Sequence, residues 1–219
     1  MSLTEAQVER YSRHILLPQV GGKGQGCLLA SSVAVAFGAE SEGVASVAAV
    51  YLAAAGVGRV GWCLLPAGDK EVSATGSLAG LIGIYDGAGV SASIGALNPD
   101  VLLERVEAPL DLARDYDLLI LPGGSSGAGE AAARFESAAK PVIRGARRDW
   151  AGGVAGHEDG FVFDSSSPEA ADGLLPAAPS EGVLGSILAF EALRALLEGA
   201  HSVGSTTLAR FDLSHGHFA

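Results

Sequence analysis

Residues 33–61 read VAVAFGAESEGVASVAAVYLAAAGVGRVG, and this stretch decides the fold. Residues 33–37 are apolar without polar alternation, the pattern of a strand covered on both faces. Gly38 interrupts the run, and residues 43–55 are Ala-rich and apolar, which predicts a helix closed by Gly56 and Gly58. A second apolar strand, RVGWCLL, follows at 59–65. Strand, glycine turn, helix and strand in this order form one parallel βαβ unit.

A turn of this kind binds phosphate when glycines let backbone N–H groups approach the oxygens at a helix N-terminus. The G-x-G-x-x-G spacing needs three glycines. Gly38 and Gly43 hold the first and third places, but Glu40 holds the second and Glu42 precedes the third. A carboxylate about 4 Å from a phosphate charge costs on the order of 1 kcal/mol in water and about 4 kcal/mol at an effective dielectric near 20. The helix dipole returns only about 0.3–1 kcal/mol. This loop is therefore a degenerate one. Its glutamates also suit a helix N-terminus in their own right.

The alternation continues along the chain. Thr4 and Gln7 form a capping-box pattern ahead of a helix over 5–17, followed by a glycine-rich hinge, GGKGQG. A short helix near 88–97, strands at 101–107 and 117–121, a helix over 128–139 and a strand at 141–145 follow. The expected fold is α/β and Rossmann-like, a mostly parallel sheet with helices on both faces. A C-terminal antiparallel extension continues it, with a strand at 160–164, an acidic Ser/Pro-rich loop at 165–181, a helix at 182–198 and a strand at 207–213. All of this reads as one domain: a helical arm (1–32), a Rossmann-like half (33–150) and a C-terminal part (151–219).

The net charge is −11 among 219 residues, so the overall field opposes nucleic acid and polyphosphate. No Lys or Arg occurs between Glu71 and Glu104. Two cysteines, Cys27 and Cys63, with no CxxC spacing, predict neither a disulfide framework nor a structural zinc site. No apolar run reaches about 18 residues, and the N-terminus lacks a signal-peptide core, so a cytoplasmic chain without a membrane span is expected.

Four segments together carry a resemblance: RYSRHILLPQVGGKGQGCLLASSVAVAFGA (10–39), YLAAAGVGRVG (51–61), LNP (97–99) and GVLGSILAFEALRALLEGA (182–200). They resemble the ThiF/MoeB/HesA family, bacterial relatives of the ubiquitin-activating enzymes. The resemblance implies a homodimer that uses ATP and magnesium to adenylate the C-terminus of a ubiquitin-like sulfur carrier. It also implies an N-terminal arginine, here Arg13, that reaches across the dimer into the partner's ATP site. Other family positions are changed. The ribose-binding Asp falls at Leu64, the catalytic Lys at Asp86 and the metal-binding Asp at Gly124. The phosphate-binding Arg motif is absent near KEVSATG (70–76), there are no paired CxxC zinc ligands, and the 165–181 loop has no Cys. The expectation is a pseudoenzyme with no catalytic residues, cofactor or metal, serving as a dimeric binding or regulatory partner. Its partner would be a second copy, an active paralogue or a ubiquitin-like sulfur carrier. An active adenylyltransferase with relocated residues, and a small-ligand-binding protein reusing the cleft, stay open beside it.

Three further features have weaker chemical readings. LPGGSSGAGE (121–130) offers backbone amides to an anion or is a plain loop, and Ser125 and Ser126 lack a sequence-evident base. His215 and His217, two apart, would share a strand face as metal ligands or lie in a solvated tail. RGARRDW (144–150) would bind an anion, or an acidic 165–181 loop of another subunit, or form a solvated turn.

Overall fold

The computed structural model describes residues 3–65, 95–107, 112–125, 127–148, 150–156, 177–199 and 207–218. Strands are β1 (Ser32–Phe37), β2 (Arg59–Leu64), β3 (Leu102–Arg105), β4 (Leu118–Leu121), β5 (Val142–Arg148), β6 (Ala151–Ala155), β7 (Thr207–Asp212) and β8 (His217–Phe218). They form one sheet in the order β3-β2-β1-β4-β5-β6-β7-β8. The first five are mutually parallel, and β6, β7 and β8 continue the sheet antiparallel. The expected α/β, Rossmann-like sheet with an antiparallel C-terminal extension is the fold observed.

Helices are α1 (Glu5–Arg10), α2 (Ser12–Ile15), α3 (Gly21–Ala30), α4 (Glu42–Ala55), α5 (Leu112–Asp115), α6 (Ala128–Ser137) and α7 (Ala177–Glu198). One face of the sheet packs on α4 and α7 through Val33, Val35, Leu52, Leu188 and Ala192. The other packs on α5 and α6 through Ala34, Ala36, Leu112, Leu119 and Phe135. Val33, Ala34, Val35 and Ala36 of β1 are fully buried, which is why this strand carries no polar alternation. At its end, Phe37 tilts against Trp62 with ring centroids 4.3 Å apart.

Local chemistry explains the boundaries. The Thr4 side chain accepts from the Gln7 backbone N–H, and the Gln7 side chain accepts from the Thr4 N–H, the predicted capping box. The expected 5–17 helix is broken at Tyr11, whose backbone leaves helical geometry as its side chain turns into the core. The glycine-rich hinge is instead helical, as α3. Tertiary packing overrides glycine's weak helix propensity here, since Leu197 of α7 rests where a Gly24 side chain would stand. At the end of α4, Gly56 adopts a left-handed conformation (φ 85°), and a Cβ there would overlap Tyr11 and Gln25.

The C-terminal half differs most from expectation. The 141–145 strand runs on to Arg148 and turns directly into β6, which sequence reading missed because Ala151, Gly152 and Gly153 look like a loop. Helix α7 starts at Ala177 rather than at 182. The expected strand at 160–164, residues 165–176 of the acidic loop and most of the 88–97 helix lie outside the described residues.

Helices α4 and α7 meet at Gly185, where a Cβ would overlap Val47 and the Val44 carbonyl oxygen. We expect Gly185→Val to destabilise the fold by about 1–3 kcal/mol through overpacking, measured by urea unfolding. A variant with an unchanged midpoint would contradict this crossing.

Candidate functional site

The sheet order reverses at β1. The chain leaves it toward β2 and β3 on one side and returns through β4 and β5 on the other. Ligands of doubly wound sheets bind at such a switch point, outside the carboxyl ends of the strands. Here that crevice lies between the loops following β1 and β4. The two loops approach closely, since a Cβ on Gly123 would stand 3.1 Å from the Ser41 side chain.

After β1, Gly38 is extended (φ −86°, ψ 166°), and Ala39–Ser41 form one 3-10 turn ahead of α4. The Ser41 hydroxyl donates to the Gly38 carbonyl at 3.2 Å instead of capping α4. Glu40 curls back so that both carboxylate oxygens lie where a Gly38 side chain would be. Glu42 opens α4 half-buried, and burial pushes its carboxyl above the usual range. At the second helical residue, Gly43, a Cβ would overlap the carboxylate of Glu181, which reaches over from α7 and is 2% exposed. Arg147 holds the other oxygen of that carboxylate, with Nη2 3.3 Å from Oε1, and its Nη1 lies 3.4 Å from the Ser180 hydroxyl. Sequence reading missed Glu181. A glutamate directly ahead of an apolar helix was the visible signal, but only the tertiary structure brings it to Gly43.

The positions expected to be lost are placed as follows. Leu64 ends β2 half-exposed, a side chain with no polar atom to offer a ribose. Gly124 lies exposed in the loop after β4. Asp86 and the 70–76 segment lie outside the described residues. In the same loop the Ser125 hydroxyl is buried and has no hydrogen-bond partner among the described residues, and Ser126 is outside them.

Arg13 is exposed on α2 and makes no ion pair or hydrogen bond among the described residues. Beside it Leu16 is 81% exposed, and Leu17 is exposed as well. The arm that carries Arg13 is fastened to the body by a buried polar cluster. The Asn98 amide donates to the Tyr11 hydroxyl at 2.9 Å and to the Ala53 carbonyl at 2.7 Å. Gln25 donates to the Ala55 carbonyl at 3.0 Å, and its side-chain oxygen lies 3.1 Å from His14 Nδ1. Arg10 pairs with Asp100.

Two sequence expectations are corrected. His215 and His217 do not share a strand face. His215 sits in the turn before β8, paired with Asp212 at 2.8 Å, while His217 begins the strand. The Ser214 hydroxyl and then His215 pull the Asp212 carboxyl down to about 2. Arg144 to Arg148 of RGARRDW are not a solvated turn but the end of β5. Arg144 is buried and bonded to Glu136 at 2.6 Å, and Arg147 meets Glu181 of its own chain rather than another subunit's loop. Among the described residues no group of three or more His, Cys, Asp or Glu side chains is arranged to hold a metal ion.

Solved structures identify the fold class. PaaA superposes with a TM-score of 0.67 at 21% identity, over 99% of this chain and 73% of that one. Escherichia coli MccB superposes with 0.63 at 12% identity, over 96% and 68%. No family model matches the chain. The SAMP-activating enzyme E1 of Haloferax volcanii is 32% identical over 95% of this chain and 83% of its own length. Mouse adenylyltransferase and sulfurtransferase MOCS3 is 31% identical over 99% of this chain, which spans 50% of the mouse protein. The chain belongs to the ThiF/MoeB/HesA family.

The raised Glu42 carboxyl has a stability consequence. With a folded pKa above the unfolded one, the folded state holds this proton more firmly. Its charge therefore costs stability at neutral pH, and the cost is relieved as pH falls through the folded value. We expect Glu42→Gln to be more stable than the parent at pH 7.5. The difference should shrink on acidification and vanish below about pH 4, under the unfolded carboxyl value. Urea unfolding across that range checks it, and a difference constant with pH would contradict it.

Proposed function

We propose that this chain is a family member that has given up ATP-dependent adenylation and acts as a dimeric binding or regulatory partner. The observation that carries the reading is the loop after β1, where Glu40 covers Gly38 and the Glu181 carboxylate lies on Gly43. The residues present do not fit a triphosphate at that helix start, since its charge would face carboxylates where donors are needed. Leu64 and Gly124, with no charge to give, support the same reading.

One observation favours a second reading. A relative matched over 95% of this chain and 83% of its own length is named an activating enzyme. On that reading the chain is an active adenylyltransferase for a ubiquitin-like modifier, with its cations supplied from other positions. Calorimetry with Mg-ATP separates the two. We expect no saturable binding tighter than about 100 μM, roughly −5.5 kcal/mol. Tighter binding would establish the second reading.

The arm and the helices beside it offer exposed surface to a partner. Arg13 stands exposed beside Leu16 and Leu17, while Tyr51 of α4 is 53% exposed and Phe190 of α7 is 62% exposed. Such apolar surface suits an interface between copies or with a paralogue. The partners we propose are a second copy, an active paralogue and a ubiquitin-like sulfur carrier. In a mixed dimer Arg13 would complete the paralogue's ATP site from across the interface. Mixing the chain with an active paralogue is expected to give adenylation that falls a hundredfold or more with Arg13→Ala, about 3–4 kcal/mol for one charge-assisted contact in a transition state. A rate unchanged by the substitution, or no mixed dimer by light scattering, would count against this role.

A further inference from the structure

We propose that the groove between α5 and α6 is a docking surface for an acidic peptide segment of a partner protein. These helices cover the sheet face opposite α4 and α7, with Leu112, Ala131, Ala132 and Phe135 buried against the strands. Their outward faces leave an open groove of about 630 Å³. Most of its lining is short: Ala113 of α5, Ala133 and Ser137 of α6, and Ala138 at the helix end. The Ser137 hydroxyl donates to the Ala133 carbonyl at 2.7 Å, so it is already satisfied. Side chains this short let the backbone of an extended segment approach closely. Lys140, just past α6, donates to the Tyr116 carbonyl, just past α5, at 2.7 Å and ties the two helix ends together.

The charge of the lining selects the partner. Arg114 contributes from α5 and Arg134 from α6, against one carboxylate, Glu130. The Arg114 side chain is exposed and makes no ion pair or hydrogen bond among the described residues. Arg134 pairs with Glu130 at 3.0 Å one turn earlier on the same helix, with both side chains about half exposed. Such a solvated pair adds little stability and leaves the guanidinium open to a competing carboxylate. The charge of the whole chain points the same way. From the end of β3 to the end of β5, residues 105–148 hold seven of the 14 Lys and Arg but only six of the 25 Asp and Glu. The remaining carboxylates are spread over the rest of the chain with the other seven cations. An acidic segment is therefore repelled by most of the molecule and attracted at this flank, which selects where it docks. Nucleic acid, with its denser charge, meets the net −11 field without enough cations to offset it.

The test is fluorescence anisotropy with the full chain and a labelled peptide of alternating Glu and Ala, beside the same peptide with Gln in place of Glu. The Glu peptide is expected to bind saturably. Its affinity should fall about tenfold in Arg114→Ala/Arg134→Ala, the loss of two exposed ion pairs together. Added salt should weaken the wild-type complex more than the residual binding of the double variant. Lys23→Ala, which removes an exposed cation from α3, should leave the affinity as it is. No binding of the Glu peptide, equal binding of the Gln peptide, or the same loss in Lys23→Ala would overturn the proposal. Displacement of the peptide by inorganic phosphate at matched ionic strength would also overturn it, by showing a site for a single oxyanion. So would self-association, followed by light scattering, that disappears in the double variant, since the occupant is then a second copy. The comparison of the two peptides needs no variant, so it decides the question even where a substitution disturbs the fold. No nucleotide is present, so neither result bears on the reading of lost adenylation.

Discussion

The structure depends on the close crossing of α4 and α7 over the parallel sheet. Gly185 allows it, because any side chain there would run into the Val44 carbonyl and Val47. Once the helices are this close, everything one turn earlier is determined. Residue 181 lies one turn before 185 on α7, and residue 43 one turn before 47 on α4, so a glutamate and a glycine are brought together by the same register. The apolar contacts of Leu184 and Leu188 hold the crossing, and the buried ion pair with Arg147 fixes its polar end. Hydrophobic burial supplies the stability, while the ion pair selects one arrangement of the helix starts.

A second constraint ties the N-terminal arm to this body. Tyr11 interrupts the predicted helix because its ring fills the core beside Gly56, while its hydroxyl is taken by Asn98. Asn98 in turn donates to the Ala53 carbonyl at the end of α4, which also accepts from the Gly56 backbone N–H. Gln25 does the same for Ala55. The position of Arg13 on the outside of the molecule is therefore set by groups buried beneath it. The C-terminal end of α4 receives side chains from distant parts of the sequence, Asn98 and Gln25.

The parallel half of the fold was legible because its signals are local. An unbroken apolar run, a glycine turn and an Ala-rich helix can each be read within a dozen residues, as can the two glutamates that depart from the three-glycine spacing. The capping box at Thr4 was equally visible. Where the reading failed, composition and packing disagreed. GGKGQG looks like a hinge but is helical under α7, and AGGVA looks like a loop but is a strand paired on both sides. Glycine has weak preferences of its own, so its neighbours in space decide its conformation.

Sequence by itself determined the family, the parallel character of the first half and the absence of charge at Leu64 and Gly124. Only the tertiary structure decided what lies at the start of α4. Glu181 is distant in sequence from Gly43 and from Arg147, and no periodicity or spacing links the three. Their meeting follows from a helix crossing and a sheet register that form together, so the contact becomes visible only when both are in place.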